Sequence, residues 1–224
     1  MRELSKEEKQ QVIAKNVAKL FDEDPAYRVV NLGVGIPTMV ANYVTREDLT
    51  IMAENGMLGV GPLADEEHAH PDLINAGRQS VLETKGCWYT DSAEAFGMIR
   101  GGHIDATVLG AFEVDGDGNV ANWIIPGGKQ LGVGGAMDLV SGARKVVIAM
   151  THTSKTGTKL VPRCTLPLTA KGKVCTVVTE YAVLHFSDGK YILSKKAPYI
   201  TLEELRAITG VAYEVSADLG EMVE

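Results

Sequence analysis

"RVVNLGVGIP", residues 28–37, is a short apolar run that stops at two closely spaced glycines and a proline. Arg28-Val29-Val30-Asn31-Leu32 reads as a buried strand that breaks at Gly33-Val34-Gly35-Ile36-Pro37, with a helix beginning near Pro37. The pattern recurs along the chain. Leu49 to Ala53 is the next apolar strand, Asp105 to Leu109 and Lys145 to Met150 follow, and Cys175 to Val178 with Tyr191 to Leu193 add two more. Helices alternate with them. Ser5-Lys6-Glu7-Glu8 is a capping box that opens a helix reaching about Phe21, Ser92 to Gly101 is a short helix closed by Gly101-Gly102, and Thr201-Leu-Glu-Glu204 caps a last helix that stops at Gly210. Strands apolar on both faces, separated by helices, predict an α/β fold: an open, mostly parallel sheet with helices on both faces.

Composition bounds the rest. The 224 residues suit one α/β domain spanning residues 1–224, and no internal repeat or linker divides them. Hydrophobic residues make up 45% and charged residues 23%, which fits a globular protein, and no window approaches the ~20 apolar residues of a membrane span. The charged N-terminal segment does not resemble a secretory signal, and Cys87, Cys164 and Cys175 are an odd, widely spaced set without C-x-x-C. A cytoplasmic location is expected. A formal charge of -7 opposes a phosphate backbone and argues against a nucleic-acid partner.

In sheets of this kind ligands bind outside the carboxyl ends of the strands. Glu54, directly after Leu49 to Ala53 and before Asn55-Gly56, lies at such an end. So do Gly33 and Gly35, and a second glycine cluster, Gly132-Val-Gly134-Gly135-Ala136, opens another helix. These loops are candidates to meet in one crevice. Each has a plainer reading: a glutamate at a strand end is more often a solvated turn residue. Gly33-x-Gly35 has Thr38 where the dinucleotide fingerprint has its third glycine. Asp115-Gly-Asp117-Gly-Asn119 departs from a calcium loop at Val120 and Pro126, and predicts instead a β-hairpin between 111–114 and 120–123. His68-Ala-His70 fits a polar loop as well as a metal site, so no metal is expected. Without a G-x-S-x-G elbow or a visible Cys-His arrangement, Glu54 is the best candidate nucleophile.

Glu54-Asn55-Gly56, Asn31-Leu-Gly-Val-Gly-Ile-Pro37, Gly101-Gly-His-Ile-Asp-Ala-Thr-Val-Leu-Gly110 continuing to Asn119-Val-Ala-Asn-Trp123, and Gly134-Gly-Ala-Met-Asp-Leu-Val140 stand in the order of one family. From Val12 to Tyr213 the chain resembles the B (beta) subunit of family I 3-oxoacid coenzyme A transferases, which share a fold with sugar-phosphate isomerases. The resemblance implies that Glu54 attacks an acyl-CoA and then carries CoA as a glutamyl thioester, in a ping-pong exchange between short-chain acids such as acetoacetate, acetate, butyrate or succinate. It implies backbone donors at Gly134, Gly135 and Ala136 for the thioester oxyanion. Gly33, Gly35, Asn55 and Gly56 would form loops against substrate or CoA. No tightly bound cofactor is implied. A separate A (alpha) subunit is the implied partner, in a heterotetramer or larger assembly. Ala53 stands where the family usually has serine, which bears on substrate choice. A CoA-ester hydrolase, a sugar-phosphate isomerase using Glu54 as a base, and a non-catalytic binding subunit are the alternatives.

Overall fold

The computed structural model describes residues 2–128 and 130–224. In chain order the strands are β1 (Val29–Leu32), β2 (Thr50–Ala53), β3 (Met57–Leu63), β4 (Val81–Tyr89), β5 (Ala106–Leu109), β6 (Glu113–Asp115), β7 (Val120–Ala121), β8 (Lys145–Ala149), β9 (Thr153–Ser154), β10 (Gly157–Thr158), β11 (Leu160–Val161), β12 (Val174–Val178), β13 (Ala182–Ser187), β14 (Lys190–Lys196) and β15 (Tyr213–Glu221). Helices are α1 (Lys6–Glu23), α2 (Ser92–Arg100), α3 (Ala136–Gly142) and α4 (Leu202–Ile208), with a 3-10 helix at Ile36–Asn42.

Ten strands form one sheet in the order β15-β14-β13-β12-β8-β5-β1-β2-β3-β4. Its centre, β2-β1-β5-β8-β12, is parallel throughout. The flanks are antiparallel except that β15 runs parallel to β14. Successive strand residues point to opposite faces, so the unbroken burial of β5, and of β1, β2 and β8 after their first residue, requires cover on both sides. One cover is α1 with the 3-10 helix, packed on β1, β3, β8 and β12; α3, paired with α2, packs on β5. The α/β fold with a parallel centre is the one the sequence predicts. Among the described residues no helix is long and apolar enough to cross a membrane.

Local chemistry explains the element ends. Both halves of the α1 capping box form: the Glu8 amide donates to the Ser5 hydroxyl at 3.1 Å, and the Ser5 amide donates to the Glu8 carboxylate at 2.7 Å. The helix expected near Pro37 is a 3-10 segment, in which the Thr38 amide and hydroxyl both donate to the Gly35 carbonyl. The hairpin expected over 111–123 is present but shorter, pairing Glu113 with Ala121 and Val114 with Val120, and β11 joins it to make a separate three-stranded sheet.

Just past the carboxyl ends of β8 and β12 lies a buried polar cluster. The His152 amide donates to Glu180 at 2.7 Å, and the imidazole lies 3.0 Å from the Thr179 hydroxyl and 2.9 Å from that of Thr209. Thr209 spends its own proton on the Leu205 carbonyl, so Nε2 of His152 donates and Nδ1 is left to accept from Thr179. The neutral ring is satisfied, and burial pushes its pKa down to about 4. In the unfolded chain the ring takes a proton near pH 6.5; in the fold it refuses one until about 4, so stability falls as pH drops through this window. The effect is on the order of 3 kcal/mol. Denaturant unfolding at pH 7 and pH 4.5 should therefore show a smaller acid loss for His152→Gln than for the parent protein, although the variant starts less stable. Glu180, whose carboxyl is pushed up by burial, acts with opposite sign in both proteins and leaves the comparison intact.

Candidate active site

From β1 the chain steps to β2 on one side and later to β5 on the other, so the strand order reverses at β1. An open parallel sheet has its crevice at such a reversal, beyond the carboxyl ends. A cavity of about 530 Å³ lies there. Gly33 after β1, Glu54 after β2 and Gly110 after β5 form its floor, and Gly132 to Ala136 close one wall. Four separate loops thus converge: those at Gly33, at Glu54 and at Gly132 to Ala136 are the three that the sequence pattern predicts, and the loop after β5 adds the fourth.

Glu54 is half-buried at the first position of a tight reversal from β2 into β3. Its orientation is fixed from beneath. Asn31 is fully buried on β1, opposite Met52 of β2 and Thr107 of β5. Its amide nitrogen donates to Glu54 Oε2 at 2.8 Å and to the Met52 carbonyl at 3.2 Å, while Oδ1 accepts from the Thr107 hydroxyl at 3.0 Å. Both amide hydrogens are therefore committed, and among the described residues Oε1 of Glu54, a residue that lines the cavity, is left without a hydrogen-bond partner. The sequence quotes Asn31 within a family block but gives it no role. Its function depends on a partner 76 residues away, which no local pattern reveals.

The glycine loops divide into wall and scaffold. A Cβ at Gly33 would lie 2.9 Å from the Val108 carbonyl, so the β1 terminus can approach β5 only without a side chain. Gly135 borders Glu54: a Cβ there would sit 3.8 Å from Glu54 Cγ and 2.8 Å from the Phe96 ring. The Ala136 amide donates to the Val133 carbonyl at 3.1 Å, whereas among the described residues the amides of Gly134 and Gly135 have no acceptor. The donors available to a ligand are thus at Gly134 and Gly135.

Gly35, Asn55 and Gly56 do not line the cavity. Gly35 starts the 3-10 helix at φ +98°, and the Asn55 side chain donates to the Ile74 carbonyl. Gly56, at φ +125°, faces Thr90: a Cβ would come within 2.2 Å of the Thr90 carbonyl, and the Thr90 amide donates to Gly56 at 2.8 Å. The glycine after Asn55 thus fits the hairpin against its neighbouring loop, a constraint of packing. Ala53 points into a separate small void beside Thr38 and Asn75, so its missing hydroxyl faces away from Glu54's cavity. His68 pairs with Asp65 at 2.6 Å and His70 accepts from the Asp72 amide, both on an exposed loop.

The chain's relationships agree with this geometry. Residues 12–206 match the family described as Coenzyme A transferase. The chain belongs to the coenzyme A transferase family. It is 51% identical over 212 residues to the acetate CoA-transferase subunit beta of Escherichia coli, covering 93% of this chain and 95% of that protein. It is 42% identical over 209 residues to the human succinyl-CoA:3-ketoacid coenzyme A transferase 2, mitochondrial, covering 92% of this chain but 40% of that longer one. A crystal structure of an acyl-CoA transferase apoenzyme from Escherichia coli superposes with a TM-score of 0.73 over 96% of this chain and 43% of that chain, at 22% identity, and shows the shared fold.

Removing the buried amide tests the support beneath Glu54. Asn31→Ala leaves the Thr107 hydroxyl without its acceptor and should lower the unfolding free energy by about 1–3 kcal/mol. A double-mutant cycle with Glu54→Gln, read by urea denaturation, should give a coupling of at least about 0.5 kcal/mol; strict additivity would mean that the contact contributes nothing.

Proposed function

We propose that this chain is the nucleophile-bearing subunit of a CoA transferase that moves CoA between an acyl-CoA and a free short-chain carboxylic acid. The observation that carries the proposal is Glu54, held by Asn31 through one oxygen with the other free, beside the unoccupied amides of Gly134 and Gly135. Oε1 attacks the thioester carbonyl, and the two amides receive the charge that develops on its oxygen. The C–S bond breaks, CoA leaves as a thiolate, and an acyl-glutamyl anhydride remains. The thiolate then attacks the glutamyl carbonyl and expels the first acid, which leaves CoA on Glu54 as a thioester. The second acid's carboxylate attacks that thioester, and the released thiolate attacks the new acyl group to regenerate Glu54. The route needs no metal and no tightly bound cofactor, because CoA is itself the group transferred. Relatives named for acetate and for succinyl-CoA and 3-ketoacids support a small acid, with a 3-oxoacid such as acetoacetate as one substrate.

We assign the opposite wall of the cavity to a second, A-type subunit. Val34 and Leu131, at the cavity rim, are 62% and 58% exposed, which is costly for a final surface and suits a contact. This chain accounts for 40% of the longer mitochondrial relative, which leaves room there for a complementary half. Closure by a partner would exclude the water that otherwise hydrolyses the anhydride. A heterotetramer or larger assembly follows if two such pairs associate.

Three measurements check the proposal. Incubation with acyl-CoA followed by borohydride should reduce Glu54 to its alcohol, and Glu54→Gln should abolish both adduct and turnover; an adduct mapped elsewhere overturns the assignment. Gly135→Val, whose side chain must displace Phe96 and press on Glu54, should lower the rate about 100- to 1,000-fold, the usual effect of losing an oxyanion donor. The purified chain should be inactive alone and gain activity that saturates at equal stoichiometry with its A-type subunit.

A further inference from the structure

The cavity contains one more charged group. Among the described residues, Lys159 is the one cation on its walls, opposite in sign to Glu54. It joins β10 to β11, and its backbone is clamped at both ends: its amide donates to the His152 carbonyl at 3.0 Å, and its carbonyl accepts from Val114 at 2.9 Å. The base of the side chain is therefore fixed. Its ammonium forms no hydrogen bond or ion pair with any described residue.

Such a group is costly to bury without a counter-ion. Burial draws the Lys159 pKa down to about 8, and Glu180 acts against the shift without coming into contact. Glu180 is otherwise engaged with the His152 amide at 2.7 Å and with Lys9 at 3.7 Å. At neutral pH the cavity thus holds a protonated amine with no partner of its own, together with the glutamate.

The exchange reaction supplies what is missing. On the reading of Glu54 given above, a free carboxylate must enter a site built around another carboxylate, and like charges repel. The phosphates of CoA lie at the far end of its pantetheine arm, away from the thioester that must sit against Glu54, so the small anion that reaches this cavity is the acid itself. We infer that Lys159 binds the carboxylate of the free acid, as acceptor in the second half-reaction and as departing product in the first. One carboxylate oxygen is held by the ammonium while the other is presented to the glutamyl carbonyl. The selected substrate class is a small carboxylate.

The test separates the half-reactions in the enzyme assembled with its A-type subunit. Wild type, Lys159→Gln and Lys159→Met are loaded with acetyl-CoA, the glutamyl-CoA thioester is verified by intact mass, excess donor is removed, and discharge is followed against acetate concentration. Half-saturation by acetyl-CoA in the loading step should stay within about twofold for all three proteins. Half-saturation by acetate in the discharge step should rise about 10- to 100-fold in both variants, as expected for loss of a charge-assisted hydrogen bond. In wild type the acetate constant should also increase above about pH 8, as Lys159 loses its proton, while the loading step does not follow it. Among the neighbouring ionisable groups, Glu54, Glu180 and His152, burial holds the His152 pKa down to about 4, so the imidazole is neutral throughout this range. Unchanged acetate half-saturation in the variants overturns the inference, as does a rise confined to acetyl-CoA, which would assign Lys159 to CoA. Should neither variant fold, a wild-type acetate constant that stays flat from pH 7 to 10 overturns it equally. Failure of wild type to form the thioester refutes the Glu54 mechanism instead, so the two outcomes are distinct.

Discussion

The hydrogen bonds of one buried amide organise the site. Asn31 lies on the strand where the sheet order reverses, and its side chain links β2, β5 and Glu54 at once. A buried amide is tolerable only when its donors and acceptor are engaged, so the three partners must be in register before the residue can be accommodated. That requirement ties the alignment of the parallel strands to the direction of one carboxylate. The glycines at the ends of β1 and β5 then matter because they leave open the space above it.

Two sorts of support meet at this cavity. Beneath it, the parallel strands are apolar on both faces and make a rigid base. Beside it, the two-residue strands β9, β10 and β11 fix Lys159 through backbone contacts with His152 and Val114. The cluster of His152, Thr179, Thr209 and Glu180 anchors that second layer to the ends of β8 and β12, with Lys9 of α1 reaching the same carboxylate. The fold thus brings opposite charges to one cavity from different layers.

The central strands were legible in the sequence because doubly covered strands are continuously apolar. Glu54 is marked by its place at a strand end, and the ordered family blocks imply a chemical role for it. Other features were hidden for physical reasons. In β3 the run Gly59-Val-Gly61-Pro62 interrupts the periodicity, and β4 and β15 are largely exposed flanking strands rich in charged or polar residues, so none of them carries a core pattern. Lys159 carries no sequence signature because it lies between two-residue strands whose pairing is set by distant partners. Gly56 was expected to face CoA; its neighbour is Thr90, a contact that exists only once β4 has folded back.

The reach of Asn31 also has a bearing on how the protein matures. Glu54 acquires its orientation only after segments 76 residues apart have paired, and contacts of such sequence separation form late because loop closure must come first. A partly folded chain carries the carboxylate without its alignment, its amide donors or its cavity. The alignment of this one side chain is thus a property of the completed sheet and not of the segment that carries it.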